Sequence, residues 1–84
     1  MEIRPGEHLK VDIIEVGKYT ISFTTAGTEA IIIFEGQLVN KQSTSLKGEY
    51  TFIINCQQIP NYVLFRNMGR HKIINLTIGK EQNE

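Results

Sequence analysis

Few side chains in this sequence are of a type that does chemistry, and their spacing decides what they can do. His8 and His71 are its two histidines and Cys56 its one cysteine. A histidine acting as general base needs a nucleophile or an orienting carboxylate within reach. Glu7 adjoins His8, but neighbouring residues on a strand face opposite ways, so that pair does not supply one. Cys56 alone makes neither an intrachain disulfide nor a multi-thiolate metal site. It shares a strand face with Tyr50, Phe52 and Ile54, which marks it as a buried, inert thiol. The acidic residues are scattered, with no calcium-loop spacing among them. Asn75-Leu76-Thr77 fits the glycosylation acceptor pattern, but it lies inside a predicted strand and is read as coincidence. No catalytic residue, cofactor or metal is expected, and the protein is read as a non-enzyme.

The one local concentration of basic side chains is Arg66, Arg70, His71 and Lys72, around Asn67-Met68-Gly69. The spacing predicts a hairpin there, with Gly69 in a left-handed position. Together with Tyr62, the group Arg66, Asn67, Arg70, His71 and Lys72 is the candidate binding tip for a phosphate, a sulfate, a carboxylate or an acidic partner. The alternative is a solvated turn. An aromatic beside arginines also suits a sugar or a single-stranded base, as on an oligonucleotide-binding barrel. Nine acidic residues balance nine basic ones. That balance argues against nucleic acid and anionic lipid as partners, and it removes the repulsion that keeps a charged protein monomeric.

The elements that must carry these residues read as strands. One phrase occurs twice, as Gly17-Lys18-Tyr19-Thr20-Ile21-Ser22-Phe23 and as Gly48-Glu49-Tyr50-Thr51-Phe52-Ile53-Ile54. Each puts Tyr and every second residue after it on one face, in residue types that suit a pleated, half-buried surface. These are predicted as the two central strands of a small β-sandwich. Before them come an arm, residues 1–6, ending in Pro5-Gly6, and a strand over 7–16 with a bend near Ile13-Ile14. Between the phrases lie a strand over 29–35 and a weaker one around Leu38-Val39. After them come Tyr62–Arg66 and a last strand over 72–78, on which Ile74, Leu76 and Ile78 share one face and Ile73, Asn75 and Thr77 the other. Gly79 is expected to end that strand, leaving residues 80–84 as a polar tail. The whole is a single 84-residue domain, all-β, antiparallel, of about seven or eight strands.

The order of these phrases, closing on Ile73-Ile74-Asn75-Leu76-Thr77-Ile78-Gly79, resembles the jelly-roll, galactose-binding-like modules of carbohydrate-binding modules and of phage tail and fibre proteins. The likeness spans roughly Gly17 to Gly79. It implies a jelly-roll-like sandwich and, as function, either attachment and assembly or sugar binding. Sugar-binding members use Trp or Tyr platforms, and this chain has no Trp.

The apolar run Ala30 to Phe34 carries the remaining expectation. A two-layer sandwich covers one face of each sheet. Ile31, Ile32, Ile33 and Phe34 are therefore the candidate association surface, with either Ile31 and Ile33 or Ile32 and Phe34 left uncovered. Ile53 and Ile73 are expected to share that exposure. The leading functional expectation is a non-catalytic sandwich acting by association, of the virion or tail type, as a homo-oligomer or with other subunits. A lectin-like module and a small intracellular inhibitor of a partner protein are the alternatives. The chain opens without an apolar signal segment and has no run long enough for a membrane span. Cytoplasmic synthesis, with a virion as one destination, is the corresponding expectation.

Overall fold

Two antiparallel sheets face one another in the structure, a computed structural model that describes residues 1–81. The seven strands are β1 (His8–Ile13), β2 (Gly17–Thr25), β3 (Ala30–Phe34), β4 (Gln37–Leu38), β5 (Gly48–Cys56), β6 (Asn61–Asn67) and β7 (Ile73–Lys80). One sheet runs β1-β6-β3-β4, the other β5-β2-β7. Three pairs nest inside one another along the chain, β3 with β4, β2 with β5, and β1 with β6. That is one long hairpin rolled over on itself, the winding of a jelly roll, with β7 added on the far side of β2. No helix among the described residues is long and apolar enough to cross a membrane.

Period-two patterning sets the core. Ile21 and Phe23 of β2, Ile54 and Cys56 of β5, Ile32 and Phe34 of β3, and Val63 and Phe65 of β6 all point between the sheets and are buried. Phe23 stacks on Tyr50 with ring centroids 5.7 Å apart and meets Phe52 at 6.1 Å. Each such buried Ile, Val or Phe side chain contributes about 1.5–3 kcal/mol. Cys56 lies in this core, its thiol 3.2 Å from the carbonyl of Gln58.

The repeated phrase has a common geometry. Tyr19 Oη donates to the carbonyl of Glu15 at 2.8 Å, and Tyr50 Oη donates to that of Leu46 at 2.5 Å. Each ring packs on the core while its hydroxyl reaches back four residues to tie the entering chain to the strand, the device called a tyrosine corner in other sandwiches. The two phrases also pair with each other, Tyr19 opposite Ile54 and Phe23 opposite Tyr50. Only β2 is therefore central; β5 is an edge strand, against the expectation that both are central.

Five other expectations are corrected. β1 stops at Ile13, because Ile13 is buried while Ile14 is 80% exposed and leaves the sheet. The connection from β6 to β7 is no hairpin, since the two strands lie in different sheets. Its Gly69 has no positive φ; a Cβ there would collide with Thr28 and the Glu29 nitrogen, so close approach is what requires glycine. On β7, Asn75 adopts φ 55° and forms a bulge opposite Phe23, since Thr24 pairs with Ile74 and Ser22 with Thr77. The extra residue turns Leu76 inward and shifts the alternation upstream of it. Ile73 is therefore buried and Ile74 faces out. Nor does Gly79 end the strand. Lys80 belongs to β7 and Glu81 N donates to the Lys18 carbonyl at 2.7 Å; the rest of the expected tail, residues 82–84, lies outside the described residues.

Candidate functional site

Strand register places Tyr62 and Arg66 on the outer face of the four-stranded sheet. Across it, Arg66 lies between His8 and Ile31, and Leu64 lies between Lys10 and Ile33, which in turn pairs with Leu38. Asp12 stands opposite Tyr62. The result is an apolar strip of Ile31, Ile33, Leu38 and Leu64, flanked by His8, Lys10, Arg66 and Tyr62. Ile31, Ile33 and Leu64 are only half-buried and lie outside the core cluster, and Leu38 is 49% exposed. Tyr62 is 47% exposed, with Lys10 Nζ 4.7 Å from its ring centroid.

The four residues of the apolar run thus divide. Ile31 and Ile33 sit on this outer face. Ile32 and Phe34 fill the core and belong to no surface. Ile53 is exposed on the other sheet, as its alternation requires, and Ile73 is not.

The basic group divides as well. Arg66 is on the sheet face, while Arg70, His71 and Lys72 are exposed on the connection between the sheets. Lys72 Nζ lies 4.0 Å from a Glu2 carboxylate oxygen, and Glu2 also meets Arg4 Nε at 3.7 Å. Asn67 has no free surface. Its amide nitrogen donates to the carbonyls of Ile3 (2.9 Å) and His71 (2.7 Å). Its side-chain oxygen accepts from Thr28 Oγ1 (2.6 Å) and from Gly69 N (3.1 Å). Both donors and both lone pairs of the amide are in use. Its backbone adds bonds to Glu7 and Gly6. Asn67 therefore fastens the N-terminal arm and the β6–β7 connection to the sheet end, and offers nothing to a ligand.

Two further polar residues have a role their types did not announce. Asn40 Oδ1 accepts from Ile32 N at 2.9 Å while its amide nitrogen donates to the Ala30 carbonyl. Thr44 Oγ1 accepts from Ala30 N at 3.0 Å and donates to the Thr28 carbonyl at 2.6 Å. These side chains stand in for a strand where β4 is only two residues long. Beside them lies a cleft of 410 Å³, lined in part by Glu29, Ile31, Leu38, Lys41 and Gln42 and by no aromatic ring. Among the described residues no cluster of three His, Cys, Asp or Glu is placed to hold a metal ion.

Comparison of the chain with family models, with curated proteins and with solved structures finds no match to any of them.

Proposed function

We propose that this protein is a non-catalytic structural or attachment subunit, of the kind that builds virions and tails, and that it works by associating with other copies of itself through the outer face of its four-stranded sheet. The observation that carries this is the strip Ile31, Ile33, Leu38 and Leu64, aligned across three strands and flanked by polar side chains. An apolar centre with a polar rim is the composition of a protein interface, and zero net charge does not oppose copies meeting there. The jelly-roll winding, and the resemblance of the order of its sequence phrases to that of tail and fibre modules, support the structural role.

The test is light scattering of the wild type and of Ile33→Lys over a range of concentrations. Ile33 is half-buried on the outer face, so a lysine there reaches water without entering the core. The wild type should associate and the variant should remain folded with association weakened. A variant that associates like the wild type would remove this face from the interface. Carbohydrate binding is the second reading, and it rests on Tyr62, the exposed aromatic of this face. Lys10 already lies over that ring, and a sugar would have to displace it. Tyr62→Ala with unchanged association and lost glycan binding would favour that reading.

A further inference from the structure

The sheet edges are treated unequally. At β4 the edge of β3 is sealed by Asn40, Thr44 and the Val39 N–H bond to the Ile32 carbonyl. β1 carries Lys10 and Asp12 along its length, charges that discourage a strand from adding. β7 is bulged at Asn75, and its upstream half is covered by the N-terminal arm, which exchanges hydrogen bonds between Ile3 and Ile73 (2.9 Å each way) and between Met1 and Leu76. β5 has no seal, bulge or covering arm, and a single charge, Glu49. It is nine residues long, has no proline or lysine, keeps unbroken register with β2, and among the described residues no backbone group bonds its outer side.

Which groups are open follows from alternation. Lys18 gives its carbonyl to Glu81, on the β7 side. Even-numbered residues of β2 therefore bond toward β7 and odd-numbered ones toward β5. On β5 their partners Gly48, Tyr50, Phe52, Ile54 and Cys56 are satisfied. Glu49, Thr51, Ile53 and Asn55 then turn their N–H and C=O groups outward.

We infer that this edge pairs with the β5 edge of a second copy, antiparallel about a two-fold axis at Phe52, joining two three-stranded sheets into one of six strands. Phe52 is the midpoint of β5. About it, Glu49 meets Asn55 of the other copy and Thr51 meets Ile53, so that all four open residues fall in hydrogen-bonded pairs. Tyr50 meets Ile54, and Phe52 meets its own copy on the core side. The one charge of the strand, Glu49, does not face itself. Self-complementarity of this kind is what a two-fold interface requires, and main-chain bonds along an open edge supply the attraction. The apolar strip of the other sheet is not involved. An assembly subunit would thus carry two separate contact surfaces.

The experiment is amide hydrogen exchange with light scattering on the wild type, Ile53→Lys, Thr51→Pro and Ile33→Lys. Ile53 is 53% exposed, and the Thr51 N–H points away from β2, so neither edge variant touches the core ladder. In the wild type, exchange at Glu49, Thr51, Ile53 and Asn55 should slow as concentration rises. Both edge variants should keep a β-type circular dichroism spectrum, lose that slowing at the positions that retain an amide, and fall from the wild-type mass to that of the outer-face assembly alone. Ile33→Lys should keep it. Edge amides that exchange fast at every concentration overturn the inference, as does a wild-type mass that neither edge variant lowers. If the mass falls only in Ile33→Lys, the edge pairing is wrong and the outer-face reading stands. If it falls only in the edge variants, and all the way to the monomer, the outer-face reading is wrong.

Discussion

Replacing Asn67 by alanine should remove a large share of this domain's stability. The side chain makes four hydrogen bonds, to Ile3, His71, Thr28 and Gly69, at a site with no solvent exposure. A net hydrogen bond contributes about 0.5–1.5 kcal/mol, and a partner left buried and unpaired costs more. Four together come to roughly 4 kcal/mol on the same scale. A domain of 84 residues holds about 4–13 kcal/mol in total, so the variant loses a third or more of its stability. At about 4–8 °C per kcal/mol the melting temperature should fall by roughly 15–30 °C. Urea titration followed by circular dichroism measures this directly, with Arg70→Ala and His71→Ala as controls, since neither side chain belongs to the network and the His71 carbonyl that accepts from Asn67 is kept in alanine. Those two should change stability by less than about 0.5 kcal/mol. A loss at Asn67 of under about 1 kcal/mol would refute the reasoning, because it would mean the arm and the β6–β7 connection are held by other contacts.

The paired tyrosine corners give a second expectation. Tyr19→Phe and Tyr50→Phe each remove one hydroxyl-to-carbonyl bond and keep the ring, so each should cost about 1 kcal/mol. They stand four rungs apart on the paired strands β2 and β5, so in a double-mutant cycle by urea titration their effects should add to within about 0.5 kcal/mol. The turn between β3 and β4 gives a third. Glu35 (φ 53°) and Gly36 (φ 74°) are both left-handed, as a two-residue hairpin of this hand requires. Glutamate is costly there and asparagine much less so, so Glu35→Asn should raise stability by about 0.5–1 kcal/mol in a thermal melt.

The all-β class, the Tyr-Thr strands and the buried thiol are legible in the residues because alternation alone fixes them. The apolar run Ile31-Ile32-Ile33-Phe34 announced a conflict, but its two faces are equally greasy, and only the register with Leu64 and Phe65 shows which one is outside. The inward turn of Ile73 is hidden because one inserted residue, Asn75, moves the alternation by a step; an asparagine in a left-handed bulge reads in sequence like any other strand residue. Asn67 reads in sequence as part of a binding tip because it stands among arginines. Its partners Ile3 and Thr28 come from distant parts of the chain, and local sequence carries no sign of them. The same holds for Asn40 and Thr44, which act as pieces of a strand without belonging to one.

The nested strand pairs have a consequence for how quickly such a chain finds its shape. Bringing β1 to β6 from a fully open chain closes a very long loop, and loop closure of that kind slows β proteins. Here the innermost pair, β3 with β4, is joined by two residues. Once it closes, the ends of β2 and β5 are drawn together, and their pairing does the same for β1 and β6. Each step is then a short search from the one before. The entropy cost of the fold is taken in instalments beginning at Glu35-Gly36, which makes that turn a determinant of folding rate. Glu35→Asn should therefore accelerate folding more than it slows unfolding, a partition that stopped-flow kinetics reads from the two arms of a chevron.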